Sequence, residues 1–182
     1  MKKIIYLLHK IRIYEIKIKY IKYKRLLGGG DLLKNLNQFY TFNEYMKSNN
    51  LSPNEEDYIE MIYRLHSDTK DVKISDLSKA LNIKPSSVSN MVKKLQQKNI
   101  LKHEKYGSIT LNKTGEVIGE RLLYRHNVVE EFLELIGVKD CLHEETEKIE
   151  HTISIETLVK ISNLINFFKE NDELISKLKE YK

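Results

Sequence analysis

Residues 85–95 read PSSVSNMVKKL, and this stretch decides the fold of the chain around it. Its apolar side chains recur at the spacing of one helical face, and the others are hydroxyls, an amide and lysines. The preceding residues 74–81 form a second short amphipathic pattern, which ends at Asn82, a residue type that tolerates left-handed backbone. Two short helices joined by a tight turn predict a helix-turn-helix. Helix pairs with this spacing also occur in proteins that never bind DNA.

The segment that follows strengthens the DNA-binding interpretation. Residues 101–111 alternate polar and apolar side chains around Gly107, which predicts a β-hairpin placed as the wing of a winged helix-turn-helix. Hydroxyls and amides suit base edges, and lysines suit phosphates. The candidate DNA-contacting residues are Lys84, Ser86, Ser87, Ser89, Asn90, Lys93, Lys94, Lys105 and Tyr106.

Charge is unevenly distributed along the chain. The formal net charge is only +5, but residues 70–113 hold 10 basic and 3 acidic side chains, whereas residues 114–182 hold 9 and 15. Lysines that neutralise phosphates release condensed counterions, so a basic block of this kind favours nucleic acid as a partner. A solvated basic face is the alternative.

The first convincing helix begins at Ser52-Pro53-Asn54-Glu55, which combines a capping serine, a proline at the first helical position and a glutamate at the capping-box spacing. We expect it to run to about His66. Farther along, a long helix is predicted from Thr114 until Gly137, followed by two or three helices that make an all-helical module and a dimer interface.

Residues 1–50 do not fit this organisation. They are rich in Lys, Ile and Tyr and contain 11 basic and 3 acidic side chains. One interpretation is an upstream mis-start, with Met46 as the true first residue; the other is a basic, mostly disordered arm that binds nucleic acid or anionic membrane. The start imitates a signal peptide, but charged residues interrupt its apolar run, so we expect neither an export signal nor a membrane span.

Cysteine usage limits the chemistry. Cys141 is the only cysteine of the sequence, which excludes an intrachain disulfide and a thiolate zinc finger. A reducing cytoplasm is the expected setting.

A cluster of ligand-type residues lies in the acidic half of the chain. Glu147, Glu150 and His151 share one helical face through spacings of three and four. Mixed oxygen and nitrogen donors suit a divalent ion of the Mn or Fe type, but an acidic face with a histidine is often only solvated surface. Such a site needs partners, for which the candidates are Asp57, Glu60, His126 and Glu130.

Five stretches in order resemble the diphtheria toxin repressor family, and specifically its manganese transport regulator branch. The matching stretches are residues 56–63 (EDYIEMIY), 85–95, 104–106 (EKY), 123–126 (LYRH) and 149–151 (IEH). Together they span nearly all of residues 52–170, whereas residues 1–50 have no counterpart.

The resemblance implies a mostly α protein in which residues 51–113 form a winged helix-turn-helix DNA-binding domain and residues 114–182 a helical metal-binding and dimerisation domain. It implies a homodimer on double-stranded operator DNA that represses metal-uptake genes and is not an enzyme. It also implies two Mn²⁺ ions per subunit, with Fe²⁺ as the alternative ion. The implied ligands are Asp57, Glu60, His126, Glu147, Glu150 and His151.

The choice of manganese depends on two positions. The iron-responsive branch has methionine and cysteine where this chain has Asp57 and Glu147, and hard oxygen donors favour Mn²⁺. His143 departs from the pattern, because it resembles an ancillary ligand of the iron branch, with His126 and Glu130 as companions.

Three other functions stay open on sequence grounds. They are an iron-responsive repressor of the same family, a winged-helix regulator that responds to a small molecule, and a metal-dependent hydrolase that uses the same acids and histidines. No nucleophile or phosphate-loop motif supports the hydrolase. We therefore expect neither a small-molecule substrate nor a membrane partner.

Overall fold

A computed structural model describes residues 51–68, 71–104 and 107–180. Residues 1–50 lie outside the described residues, so the two hypotheses about them are not tested. Lys105 and Tyr106 also lie outside the described residues. In chain order the elements are α1 (Pro53–Asp68), α2 (Ile74–Leu81), α3 (Pro85–Gln97), β1 (Leu101–His103), β2 (Ile109–Leu111), α4 (Lys113–Leu135), α5 (Leu142–Glu150), α6 (Ile155–Lys169) and α7 (Asp172–Glu180). The predicted mostly helical fold class is confirmed.

The start of α1 is held by the predicted capping box. The backbone N–H of Ser52 donates to Oε2 of Glu55 at 2.8 Å, and the backbone N–H of Glu55 lies 3.4 Å from Oγ of Ser52. These bonds satisfy backbone donors that a helix start leaves free. The helix ends at Asp68, two residues beyond the predicted His66.

The helix-turn-helix forms where the sequence predicts it. Asn82 ends α2 in the left-handed conformation, with φ of 54°, and Pro85 occupies the first turn of α3. Val88, Val92 and Leu95 of α3 are fully buried in the same core as Leu77 of α2. Burial of this apolar face fixes α3 against α2 and turns its polar face outward.

The wing is a two-stranded antiparallel sheet in which Leu101 pairs with Leu111 and His103 with Ile109. Its second strand is also bridged to Val72 before α2, since the backbone N–H of Ile109 donates to the carbonyl of Val72 at 2.7 Å. The alternation of polar and apolar residues predicted the hairpin, but it did not predict the bridge to Val72.

The long helix α4 belongs to two hydrophobic cores. Ile118 and Leu122 are buried with α1, α2, α3 and the wing. Val129 and Leu133, farther along the same helix, are buried with Leu158 and Ile165 of α6. Between these two stretches α4 carries His126, so the middle of this helix lies where residues from both halves of the chain meet.

None of the helices among the described residues is long and apolar enough to cross a membrane.

Candidate metal centre

Ligand-type side chains from α1, α4 and the end of α5 converge. Nε2 of His151, which follows α5, lies 3.0 Å from Oδ1 of Asp57 on α1. Asp57, Glu147, Glu150 and His151 each offer one donor atom within 4.8 Å of the others. This set is called the outer group. Residues nearly a hundred positions apart thus present oxygen and nitrogen donors to one point.

A second set, the inner group, consists of Glu60, His126 and Glu150, whose donor atoms also lie within 4.8 Å of one another. All three residues are buried, with exposures of 6%, 3% and 1%. Nδ1 of His126 lies 2.9 Å from Oε2 of Glu150 and 3.9 Å from Oε1 of Glu60. Buried carboxylates are expensive unless they are paired, which marks this place as a built site rather than a solvated surface.

Glu150 belongs to both groups and offers a different oxygen to each. Its Oε2 faces His126, whereas its Oε1 lies 3.6 Å from Nε2 of His151. A carboxylate in this position can bridge two cations.

The charge state of the cluster fits a divalent cation. Burial raises the pKa of Glu150 to about 7, and burial together with the charge of Glu150 raises the pKa of Glu147. Burial, followed by the charge of Arg64, lowers the pKa of His126 to about 4, so its imidazole is neutral and keeps a lone pair. A divalent ion at the site would favour the charged form of these carboxylates and would bind the lone pair of the neutral imidazole.

His151 has the opposite charge state. Hydrogen bonds to Asp57 and Glu56 raise its pKa to about 10, so it is an imidazolium that holds the outer group together. Nδ1 of His151 donates to Oε2 of Glu56 at 3.1 Å, and Nη2 of Arg125 donates to the same oxygen at 2.7 Å. Glu56 and Arg125 were not assigned a role from sequence, although both lie in the matched stretches.

Arg64 is a further residue to which the sequence assigned no role, although helical spacing places it on the same face as Asp57 and Glu60. It lies one turn after Glu60 on α1, and its Nη2 contacts Oε1 of Glu60. Spacing of four on a helix is a signal for such a pair, but the same spacing is common on solvated faces.

The structure also brings His143 near the cluster. His126, His143 and Glu147 offer donors within 4.8 Å of one another, but His143 is 70% exposed, and its Nδ1 is 3.8 Å from Oε1 of Glu147. Glu130 is not part of this third set, although its charge partly opposes the lowering of the His126 pKa by burial.

The candidate DNA-contacting residues around α3 are mostly exposed. Ser89 is half-buried, and Lys94, with its side chain 53% exposed, lies 3.4 Å from Oε1 of Glu55. Lys98 lies 2.8 Å from the same oxygen. The exposed residues are Lys84, Ser86, Ser87, Asn90, Lys93 and Lys94.

Two family models match the chain. Residues 50–109 match the "Iron dependent repressor, N-terminal DNA binding domain", and residues 112–177 match the "Iron dependent repressor, metal binding and dimerisation domain". The chain belongs to the iron-dependent repressor family. It is a metal-dependent transcriptional repressor that binds DNA and dimerises, and it is not an enzyme. The resemblance to the diphtheria toxin repressor family is thereby confirmed.

Similar proteins include the HTH-type transcriptional regulator MntR of Oceanobacillus iheyensis, which is 42% identical over 130 residues that cover 71% of this repressor and 88% of the relative. MntR of Bacillus pumilus is 42% identical over 129 residues, which cover 70% of this chain and 90% of the relative.

Among solved structures, the manganese regulator SloR is 28% identical with a TM-score of 0.56, and the match covers 64% of this chain and 55% of that one. ScaR with bound Zn²⁺ is 26% identical with a TM-score of 0.52, and the match covers 62% of this chain and 54% of that one. The repressor thus spans little more than half the length of these two structures.

Proposed function

We propose that this protein is a Mn²⁺-responsive repressor of metal-uptake genes that acts in the cytoplasm. The observation that carries the proposal is the convergence of Asp57, His126 and Glu150 from three helices on one cluster of oxygen and nitrogen donors. Hard donors of this kind suit Mn²⁺, and the ligand set contains no sulfur. The relatives named MntR support the same ion.

We infer two ions per subunit, one at the inner group and one at the outer group. The proposed ligands are the six residues implied by the resemblance: Asp57, Glu60, His126, Glu147, Glu150 and His151. The support for two ions is that Glu150 offers Oε2 to His126 and Oε1 toward His151. A divalent ion at each group would add to the positive charge that Arg64 and His151 already place beside these carboxylates.

The mechanism depends on which helices hold the ligands. Asp57 and Glu60 lie on α1, in the proposed DNA-binding domain of residues 51–113, and the α5 residues lie in the proposed dimerisation domain of residues 114–182. Without bound metal, Arg64 and the protonated His151 offset only part of the negative charge of these carboxylates, and the remaining repulsion between α1 and α5 opposes close packing of the two domains. When the charges are compensated, the ligands tie α1 to α5 and so fix the position of α3 relative to the dimer interface.

A fixed position of α3 determines operator binding. The two copies of α3 in a dimer must reach half-sites that are spaced by the helical repeat of DNA. In our proposal the exposed Ser87 and Asn90 contact base edges, and Lys84 and Lys93 contact phosphates.

The test is DNA binding to the upstream region of the protein's own gene and to those of candidate metal transporters, titrated separately with Mn²⁺ and with Fe²⁺ under anaerobic conditions. Tight binding with Mn²⁺ and weak binding with Fe²⁺ are expected. Preference for Fe²⁺ would make the protein an iron-responsive repressor, and DNA binding that ignores both ions would overturn the proposed mechanism.

A further inference from the structure

Arg64 holds the oxygen of Glu60 that faces His126. Its Nη2 contacts Oε1 of Glu60, and the same Oε1 is 3.9 Å from Nδ1 of His126 in the inner group. The side chains of Glu60 and Arg64 are only 8% and 20% exposed. An arginine thus occupies a ligand atom of the proposed inner site.

One nitrogen of the Arg64 guanidinium forms no hydrogen bond within the described part of the chain. Its Nε atom is buried and has no hydrogen-bond partner among the described residues. A buried donor without a partner costs free energy, which the ion pair of the guanidinium with Glu60 must offset. The partial exposure of the side chain gives it a route to solvent, where all its donors can be hydrated.

We propose that Arg64 is a displaceable counter-cation of the inner group: it neutralises Glu60 in the metal-free protein and leaves that carboxylate when a divalent ion binds. Arg64 therefore weakens metal binding and raises the Mn²⁺ concentration at which the repressor responds. This inference rests on the proposed function, because it requires a metal ion at the inner group.

The positive charge of Arg64 determines that its removal strengthens metal binding rather than weakens it. A guanidinium next to Glu60 repels an arriving cation and occupies the oxygen that this cation needs. Removing it leaves Glu60 as a buried carboxylate without its ion-pair partner, which destabilises the metal-free protein and increases the gain from metal binding. A purely structural arginine would instead stabilise the metal-free and metal-loaded forms alike.

The experiment compares wild type with Arg64→Gln, Arg64→Lys and the matched control Lys148→Gln. Lys148 forms an exposed intrahelical pair with Glu145 at 2.8 Å, so this control removes one positive charge from a Lys–Glu pair on α5 without touching either group. Mn²⁺ affinity and stoichiometry are measured by electron paramagnetic resonance of free Mn²⁺. Melting temperatures are measured with and without Mn²⁺, and Arg64→Met replaces Arg64→Gln if the latter does not fold.

We expect Arg64→Gln to bind one of its two ions at least about tenfold more tightly, whereas Arg64→Lys and Lys148→Gln stay within about twofold of wild type. The metal-free Arg64→Gln protein should melt lower, and its gain in Tm on adding Mn²⁺ should be larger. An Arg64→Gln affinity equal to or weaker than that of wild type overturns the role of Arg64 and leaves the proposed function standing. If wild type itself binds no Mn²⁺, both the proposed function and this inference are overturned.

Discussion

Oε2 of Glu150 lies 2.9 Å from Nδ1 of His126, in a contact between side chains that are 1% and 3% exposed. Its other oxygen faces His151. Glu150 is therefore shared by the inner and outer groups, and loss of its charge should affect both at once.

Glu150→Gln should abolish metal-dependent DNA binding. The amide keeps the shape of the side chain but loses the negative charge, and one of its two ends can no longer accept a cation. We expect Mn²⁺ affinity at both groups to fall by about 100-fold or more, because loss of a residue that only supports a ligand already costs about 10–100-fold. Asp57→Asn removes a residue of the outer group alone, so it should spare one ion.

The measurement is Mn²⁺ stoichiometry together with operator binding, each as a function of metal concentration. Glu144→Gln is the control, because Glu144 lies on α5 and is exposed outside the three donor sets. Full metal response in Glu150→Gln would remove Glu150 from the ligand set and would show that the metal acts through other residues.

The sequence predicted some parts of the candidate site better than others. Helical spacing alone placed Glu147, Glu150 and His151 on one face, and the structure brings these residues together. Spacing does not indicate which distant residues meet that face. Asp57 and His126 were candidates by residue type, and only the resemblance selected them as ligands. Glu56 and Arg125 were missed because a glutamate and an arginine on different helices carry no local signal of their pairing.

Mn²⁺ binding should release protons. Hydrogen bonds to Asp57 and Glu56 raise the pKa of His151 to about 10, above its ordinary 6.5, so the metal-free protein holds this imidazole protonated at neutral pH. A histidine binds a metal ion only in its neutral form, so His151 must lose this proton when Mn²⁺ binds. Glu150, whose pKa burial raises to about 7, releases a further fraction of a proton at neutral pH.

The raised pKa of His151 also determines how the stability of the metal-free protein changes with pH. A raised folded-state pKa contributes stability that is fully present below about 6.5 and is lost as the pH rises through about 10. The metal-free protein should therefore lose stability across this window, while its Mn²⁺ affinity increases. Calorimetric titrations at pH 7.5 in buffers of different ionisation enthalpy should give about one proton released per subunit or more; a binding enthalpy that is the same in every buffer would contradict the protonated state of His151.

Glu55 should stabilise the link between α1 and α3. Its side chain is 1% exposed, and Nζ of Lys98 lies 2.8 Å from its Oε1. Burial alone would raise the pKa of Glu55. The hydrogen bonds from Lys98 and within the Ser52 capping box together outweigh burial and lower the pKa to about 2. Glu55→Gln should cost about 1.5–3 kcal/mol of unfolding free energy at neutral pH, as expected for a hydrogen bond to a charged group.

The stabilisation that Glu55 provides should decrease as the pH falls. A lowered pKa gives stability that is present above the ordinary value of 4.5 and is lost as the pH falls through about 2. In urea unfolding, the difference between wild type and Glu55→Gln should shrink steadily over that range. A difference independent of pH would show that Glu55 acts by packing alone. The matched control is Glu145→Gln, which removes an exposed pair with Lys148.

The fold was predicted more completely than its close contacts. The turn at Asn82 and the hairpin follow from residue types that favour those backbone conformations, so local sequence sufficed. Nothing local indicates that Gly119 of α4 faces Tyr63 of α1, because that approach depends on how two helices pack.

Gly119→Ala should therefore destabilise the protein and weaken metal binding. A Cβ at this position would lie 2.6 Å from Cβ of Tyr63, so α1 must shift away from α4. Alanine favours helix over glycine by about 1 kcal/mol. Overpacking costs about 1–3 kcal/mol, and more at so short a distance, so the clash should prevail.

The shift would move Asp57 and Glu60 relative to His126, since the same two helices carry them. We expect a melting temperature several degrees below that of wild type and a higher Mn²⁺ concentration for half-maximal operator binding. Glu120→Ala is the control, because it introduces alanine at the adjacent, exposed position of α4. The prediction is wrong if Gly119→Ala is as stable as wild type and responds to metal unchanged. In that case α1 and α4 can separate without disturbing the ligands, and their close packing does not set the geometry of the metal centre.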